Sequence, residues 1–158
     1  MRRMILYLGI LAAVFWAGDP GTDIGMLIPV ETVCIQKQGE EIVIQADSGD
    51  RGAGATMKQA AEDLKEKAQG FIYLDTADYL ILNGEAEALL PQLQNNRKQE
   101  VALCKADEQI DVQKATPFLR AHRPQLELSD WRAGMTLPGL EEAEGSFKIK
   151  TKTAEKGG

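Results

Sequence analysis

Histidine and cysteine are scarce in this sequence, and their scarcity excludes several kinds of catalytic and metal site. The chain has one histidine, His122, and two cysteines. A single histidine cannot build a histidine-rich zinc site. The sequence also has no GxSxG motif and no nucleophilic-cysteine signature around which a hydrolase triad would form. We expect His122 to be a surface residue, and we predict no catalytic, cofactor-binding or metal-binding residues and no cofactor.

The two cysteines do not form a recognisable chemical motif. Cys34 and Cys104 stand 70 positions apart, each in an apolar run, which is neither a metal-ligand spacing nor a CxxC redox motif. Export would permit a disulfide between them. Two buried thiols that act as small hydrophobic side chains explain the pattern equally well, so both interpretations stay open at this point.

The sequence also lacks an apolar run long enough for an ordinary transmembrane helix. Met4–Ala17 is the longest uninterrupted run and follows Arg2 and Arg3. It is shorter than the ~20 residues that a spanning helix needs, but it suits the hydrophobic region of a signal peptide. Small residues at the expected cleavage positions are missing, since Phe15 and Trp16 stand there, so residues 1–18 are predicted to be a signal peptide or a retained membrane anchor. The rest is predicted to be exported.

Basic residues are fewer than acidic ones, which limits the partners that we expect. The chain has 18 Lys and Arg against 24 Asp and Glu, and a formal net charge of −6. Such a protein is repelled by phosphate backbones and by anionic lipid surfaces. We therefore predict no nucleic-acid partner, and contact with the membrane only through the N-terminal segment.

Length and composition fit one folded unit. The 158 residues, of which 44% are hydrophobic and 27% charged, are typical of one globular domain plus a targeting segment. We predict a single exported α+β domain over residues 22–140, followed by a polar tail at 141–158. The domain is expected to contain a small mixed or antiparallel sheet of at least four strands packed with two to four helices.

The first half of this domain predicts a hairpin and a helix. Ile24–Gln36 and Glu41–Ala46 are β-rich and flank a short glycine-containing turn. Pro29 cannot donate a hydrogen bond within a sheet, so the first strand should start after it or lie at an edge. A helix is expected near 56–69, with Thr56 and Gln59 at capping-box spacing at its start. Its apolar stripe includes Met57, Ala60, Ala61, Leu64 and Ala68, and Gly70 is the expected stop.

The second half predicts further strands and shorter helices. Phe71–Asp75, Tyr79–Leu82 and Val101–Ala106 are the strand candidates. A helix near 85–95 should be kinked or divided at Pro91. A second helix, over 111–122, is expected to break near Pro117, and the scattered apolar residues of 125–140 are expected to pack a final helical segment onto the sheet.

Two sets of residues could bind a ligand, although the sequence evidence for each is weak. Ser48–Ala55 is predicted to be a glycine-rich loop before a helix, where a small ligand could bind near Gly49, Gly52 and Gly54. Ala55 and Thr56 stand where a phosphate-binding loop requires lysine and serine or threonine, so a flexible loop is the better interpretation. The acidic residues lack the spacing of a calcium loop and are expected to form a solvated surface; they include Asp47, Asp50, Asp75 and Asp78.

The order of these features resembles the N-terminal domain of the C subunit of bacterial spore germinant receptors, which is a membrane-attached lipoprotein of endospore formers. The family has an aromatic-aliphatic strand, a second strand, and a Gly-Glu pair that opens a helix, here Gly84-Glu85. It also places a lipidated cysteine directly after the hydrophobic region, whereas positions 16–20 contain none. The similar segments are Phe15–Asp19, Asp23–Ile28, Glu41–Ala46, Gly52–Leu64, Phe71–Leu93 and Asn96–Leu103.

The resemblance implies a non-catalytic interaction module outside the membrane that contacts receptor subunits or other membrane proteins. Without the lipidated cysteine, Met4–Ala17 would be its only tether. No binding residue of the family carries over to this sequence. Two alternatives remain, namely a secreted small-ligand-binding domain and a minor hydrolase that uses acidic residues.

Overall fold

Seven strands of the chain form one mixed sheet, and two short strands form a second, separate sheet. The computed structural model describes residues 27–68, 70–96, 100–143 and 145–150. The large sheet has the order β4-β3-β2-β6-β7-β8-β9, and β1 pairs only with β5. The strands are β1 Leu27–Pro29, β2 Thr32–Gln38, β3 Glu41–Ala46, β4 Arg51–Gly54, β5 Phe71–Tyr73, β6 Tyr79–Gly84, β7 Ala102–Ala106, β8 Gly139–Ala143 and β9 Ser146–Lys150.

Parallel strands occupy the centre of the large sheet, and antiparallel hairpins lie at both sides. β2, β6 and β7 are parallel neighbours, and β8 joins β7 in parallel through Lys105 and Gly139. β3 and β4 continue antiparallel from β2, and β9 is antiparallel to β8. In the described part of the chain, three α-helices pack with the sheet: α1 Met57–Lys67, α2 Leu90–Asn96 and α3 Val112–Ala121. The predicted α+β fold is thus confirmed.

The sheet has a hydrophobic core on each face, because side chains of a strand alternate between faces. On one face, Val33 of β2, Leu82 of β6 and Leu103 of β7 pack with residues of α1 and α2. The opposite face carries Ile81 and Cys104, which pack with α3. Covered central strands of this kind read in the sequence as nearly continuous apolar runs.

Helix α1 follows the predicted pattern closely. Thr56 is its N-cap, and the Thr56 side chain accepts a hydrogen bond from the Gln59 backbone N–H at 3.2 Å. The stripe residues Met57, Ala60 and Leu64 are buried. The helix ends at Lys67, with Ala68 as C-cap, so it stops before the predicted Gly70.

Arg51–Gly54 in the glycine-rich stretch is a strand, which corrects the prediction of a flexible loop there, whereas Gly49 lies in the turn before it. Gly52 and Gly54 belong to β4, at one edge of the sheet, and α1 lies directly against them. A Cβ atom on Gly52 would lie 2.3 Å from the carbonyl oxygen of Ala60 and 2.3 Å from the backbone nitrogen of Leu64. These glycines therefore allow the helix and strand backbones to approach closely.

Proline has a different effect in each of the remaining helices. The expected division near Pro91 is present, since a 3₁₀ segment at Glu85–Leu89 precedes α2. By contrast, α3 runs without a break through Pro117, contrary to the prediction. Because Pro117 has no N–H, the backbone carbonyl of Gln113 lacks its helical hydrogen bond, but Gln113 is exposed and water can donate to it. Burial of the apolar side of α3 stabilises the helix.

The segment from 125 to 150 differs most from the prediction. Residues 125–138 form turns and one antiparallel bridge between Glu127 and Ala102, rather than a final helix. Residues 141–143 and 146–150 are not a polar tail, because they belong to β8 and β9, which pair as a hairpin. The hairpin is polar because β9 lies at the edge of the sheet, where charged residues are common and only alternate side chains are buried. Residues 151–158 lie outside the described part.

The predicted anchor is beyond the described residues. Met4–Ala17 lies in the part of the chain before residue 27, which the structure does not describe. Among the residues that it does describe, no helix is long and apolar enough to cross a membrane.

Candidate functional site

The sequence-predicted candidates do not come together in a site. His122 is exposed at the end of α3, where its ring stacks on Phe118 with the ring centroids 4.6 Å apart. The side chain of Asp50 accepts a hydrogen bond from Ser48 in a turn. In the described ranges, no group of three or more His, Cys, Asp or Glu side chains is arranged to hold a metal ion. The space over Gly52 is filled by α1.

Asp47 instead stabilises the start of β2. Its Oδ2 atom accepts hydrogen bonds from the backbone N–H groups of Glu31 and Thr32, each at 3.1 Å. Desolvation raises the pKa of Asp47 above its usual value of 3.8, even though these hydrogen bonds act in the opposite direction. Nearby, Arg120 of α3 forms a two-point ion pair with Glu31, which lowers the pKa of Glu31. These contacts join α3 to the amino end of the parallel strands.

The two cysteines are free thiols on one face of the sheet. Cys34 of β2 and Cys104 of β7 both stand beside Ile81 of β6, which separates them. Two strand spacings of ~4.8 Å place their Cα atoms about 9.5 Å apart, beyond the ~7 Å limit for a disulfide. Burial raises the pKa of Cys34 to about 12 and raises that of Cys104 as well. The structure thus favours the interpretation of two inert, buried thiols.

A groove beside the carboxyl end of β7 is the best candidate for a functional site. We call it the Trp131 groove; its volume is about 560 Å³, within the range of small-molecule sites. One wall is the 3₁₀ segment and the start of α2, and the other is the turn-rich segment before β8. The residues that line it include Glu87, Pro91, Lys105, Trp131, Met135 and Leu137.

The side chains of the groove combine apolar contact surface with charge. Trp131 is half-buried against the core of this face, and Leu137 is buried. Within the described part of the chain, Met135 is the large hydrophobic residue that is exposed, at 44%. An exposed methionine beside a tryptophan is typical of surfaces that bind other proteins.

Lys105 lies between two carboxylates. Its ammonium is 2.7 Å from Glu87 Oε1 and 3.9 Å from Asp107 Oδ1. The hydrogen bond to Glu87 raises the pKa of Lys105, so this side chain stays charged. With two carboxylates around one ammonium, the charge immediately around Lys105 is negative.

A second, strongly acidic groove lies between the segment after β7 and strand β8. Asp107, which pairs with Lys105, lines it together with Glu108, Glu141 and Glu142, and we call these four residues the acidic edge. Lys150 pairs with Glu141 at 2.6 Å and offsets part of the charge. The Lys105–Asp107 ion pair links the Trp131 groove to the acidic edge at the carboxyl end of β7.

Hydrogen bonds fix the Trp131 wall to the rest of the domain. The side-chain amide of Gln94 in α2 donates to the backbone oxygens of Leu128 and Trp131, at 2.7 and 2.9 Å. Arg132 donates to the backbone oxygens of Ser129 and Trp131 at the same turn. The groove is therefore preformed, which lowers the entropic cost of binding.

A cavity in the interior of the domain is much smaller than the Trp131 groove. An apolar cavity between the sheet and α2, lined by Val33, Leu80 and Leu93 among others, has a free volume of only about 20 Å³. That is little more than the volume a single water molecule needs. A small ligand does not fit there.

The sequence did not predict the residues of the Trp131 groove because they are far apart along the chain. Glu87, Lys105 and Trp131 belong to three different elements, and no motif connects them. One signal was present, since Lys105 interrupts the apolar run of β7. A charged residue within a covered strand requires either a partner or access to solvent, and Lys105 has both.

No family model, curated protein or solved structure matches this chain.

Proposed function

We propose that this protein is a non-catalytic interaction module outside the cytoplasm, associated with the membrane through its N-terminal segment and similar in role to the N-terminal domain of a spore germinant receptor C subunit. Its partners are membrane proteins, in the first place the subunits of such a receptor. The observation that carries the proposal is the Trp131 groove, a preformed surface that exposes Met135 beside Trp131.

The positions of the family-like segments support the proposal. Glu41–Ala46, Gly52–Leu64 and Phe71–Leu93 contribute β3, β4, α1, β5, β6 and the beginning of α2, which lie together in and around one half of the large sheet. The Gly84-Glu85 pair, which opens a helix in the family, stands at the junction of β6 and the 3₁₀ segment. Gly84 has a φ of 62°, a conformation that glycine adopts readily.

Membrane association is tested by fractionating an endospore-forming host that expresses the full-length chain. We expect the protein in the membrane fraction, resistant to high salt and released by detergent, because burial of the Met4–Ala17 run is hydrophobic and is not screened by ions. A chain that starts at Asp19 is the control and should be soluble. Mass spectrometry of the N-terminus distinguishes a retained anchor from a cleaved signal peptide.

The partner is tested by photo-crosslinking in sporulating cells. A photoreactive residue in place of Met135 should crosslink to a receptor subunit, whereas one in place of exposed Lys58 on α1 should not. Recovery of the protein only from the cytosol, or crosslinking of the two positions to the same set of proteins, would contradict the proposal. A broad hydrolase screen tests the alternative that uses acidic residues.

A further inference from the structure

We infer that the Trp131 groove and the acidic edge together bind a basic, amphipathic segment of a partner protein. The inference rests on the proposed function, since it gives the chemistry of the segment that an interaction module of this kind would bind. In the bound state, lysine or arginine side chains of the segment lie near Glu87 and the acidic edge, and an apolar side chain contacts Trp131 and Met135.

The charge of the surface selects a cationic partner. Glu87 and the four residues of the acidic edge contribute five carboxylates, against the cationic groups of Lys105, Lys150, Lys114 beside Glu142, and Arg132 at the Trp131 turn. Asp107 and Glu108 are exposed, so they keep their charge available to a partner. The whole chain has a net charge of −6, which strengthens the attraction at long range.

The apolar side of the groove supplies the affinity that surface charge alone does not. Exposed ion pairs contribute little each because water and salt screen them, whereas buried aromatic and methionine contacts commonly dominate protein interfaces. Among aromatic rings, tryptophan attracts a lysine or arginine cation most strongly, and Trp131 lines the groove. A segment that is only basic, or only apolar, therefore uses half of the surface.

Other occupants fit this surface less well. Anionic lipid headgroups and nucleic acids are repelled by the carboxylates. The residues after Lys150 follow β9 directly and include Lys152 and Lys156, but Glu155 and two glycines lie among them and no large apolar side chain is available to contact Trp131. A segment of another protein is therefore the occupant that the chemistry favours.

Trp131 provides a direct signal for binding. The chain has two tryptophans, so Trp16→Phe leaves Trp131 as the only one. The full-length variant, in neutral-lipid nanodiscs or free in buffer if it is soluble, is titrated with a short amphipathic peptide of lysine and leucine. A peptide of glutamate and leucine with the same pattern is the charge control, and empty nanodiscs give the background.

The matched variants change charge at the groove or away from it. Glu87→Lys with Asp107→Lys reverses two charges at the proposed surface, and Glu62→Lys with Glu66→Lys makes the same change on exposed positions of α1. Each double variant reverses two charges and removes at least one ion pair with a lysine, Lys105 at the groove and Lys58 on α1. Circular dichroism verifies that each variant is folded.

We expect the lysine-leucine peptide to shift Trp131 emission and to bind at micromolar concentration. The groove variant should weaken binding about tenfold or more and the α1 variant by less than about twofold. Met135→Ser should weaken it several-fold. Absent binding, equal weakening by the two double variants, or equal binding of the glutamate-leucine peptide would each overturn the inference.

Two further outcomes separate the occupants and the proposals. If truncation after Lys150 shifts the Trp131 emission without any peptide, the occupant is the chain's own C-terminal segment and the partner inference is wrong. If the peptide fails to bind but the membrane and crosslinking experiments succeed, the proposed function stands and only this surface is refuted. If the peptide binds but the protein is recovered only from the cytosol, the binding surface is supported and the proposed function is refuted.

Discussion

Replacing Gly52 with alanine is the sharpest test of how α1 packs against the edge of the sheet. The added Cβ atom would lie 2.3 Å from the carbonyl oxygen of Ala60 and from the backbone nitrogen of Leu64. Normal contacts of a methyl group are ~3.5–4 Å, so the strand and the helix must separate by about 1 Å. Neither obstacle is the end of a flexible side chain, and the domain cannot relieve the clash by a rotamer change.

The expected loss of folding stability can be judged from substitutions that overfill other protein cores. Insertion of a methyl group into a well-packed core typically costs about 1–3 kcal/mol. Because the obstacles are backbone atoms, we expect a loss near the upper end, about 3 kcal/mol. For a domain of this size, that loss lowers the Tm by roughly 6–15 °C.

Gly139→Ala is the matched control. Gly139 is also a strand residue, at the start of β8, but a Cβ atom there would meet its nearest atoms, both in Lys150, at 3.7 and 3.8 Å, which is ordinary contact. Alanine lowers the conformational entropy of the unfolded chain, so this variant should be as stable as the wild type or more stable by up to about 1 kcal/mol. Thermal and urea unfolding, followed by far-ultraviolet circular dichroism, measure both variants. Equal Tm values for the two would refute the close packing of α1 on β4 and reopen the glycine stretch as a ligand loop.

Three further predictions concern the core, the thiols and pH. Leu64→Asp should destabilise the domain by several kcal/mol in urea unfolding, because it places an unpaired charge at a fully buried position, whereas Lys65→Asp on the exposed side should cost little; similar losses would contradict the assigned face. Cys34 and Cys104 should react with a thiol reagent only after unfolding, and a mass change on reduction would show instead that they are bonded. The pKa of Asp47 is raised in the folded state, so its contribution to stability is present at low pH and is lost as the pH rises from the unfolded pKa through the folded one. Asp47→Asn, which keeps an acceptor for the two N–H groups, should therefore be at least as stable at neutral pH, with an advantage that shrinks on acidification; a lower Tm at pH 7 would contradict this sign.

The elements that were predicted well are those whose sequence pattern is local. The hairpin of β2 and β3, the N-cap of α1 at Thr56 and the buried position of Leu64 follow from alternation, capping chemistry and the helical repeat within a few residues. The candidate site depended on distant residues. Glu87, Lys105 and Trp131 meet only because β7, the 3₁₀ segment and the segment before β8 pack at one end of the sheet.

The sequence by itself determined the α+β class, the strands of the centre and the amphipathic face of α1, since these depend on which side chains can be buried by neighbours along the chain. Only the tertiary structure decided that Gly52 forms a strand under a helix and that Ser146–Lys150 pairs at the edge of the sheet. It also separated Cys34 from Cys104 by one strand. The reason is the same in each case: strand pairing and close backbone approach are set by contacts between distant segments, and a local pattern of polar and apolar residues does not specify them.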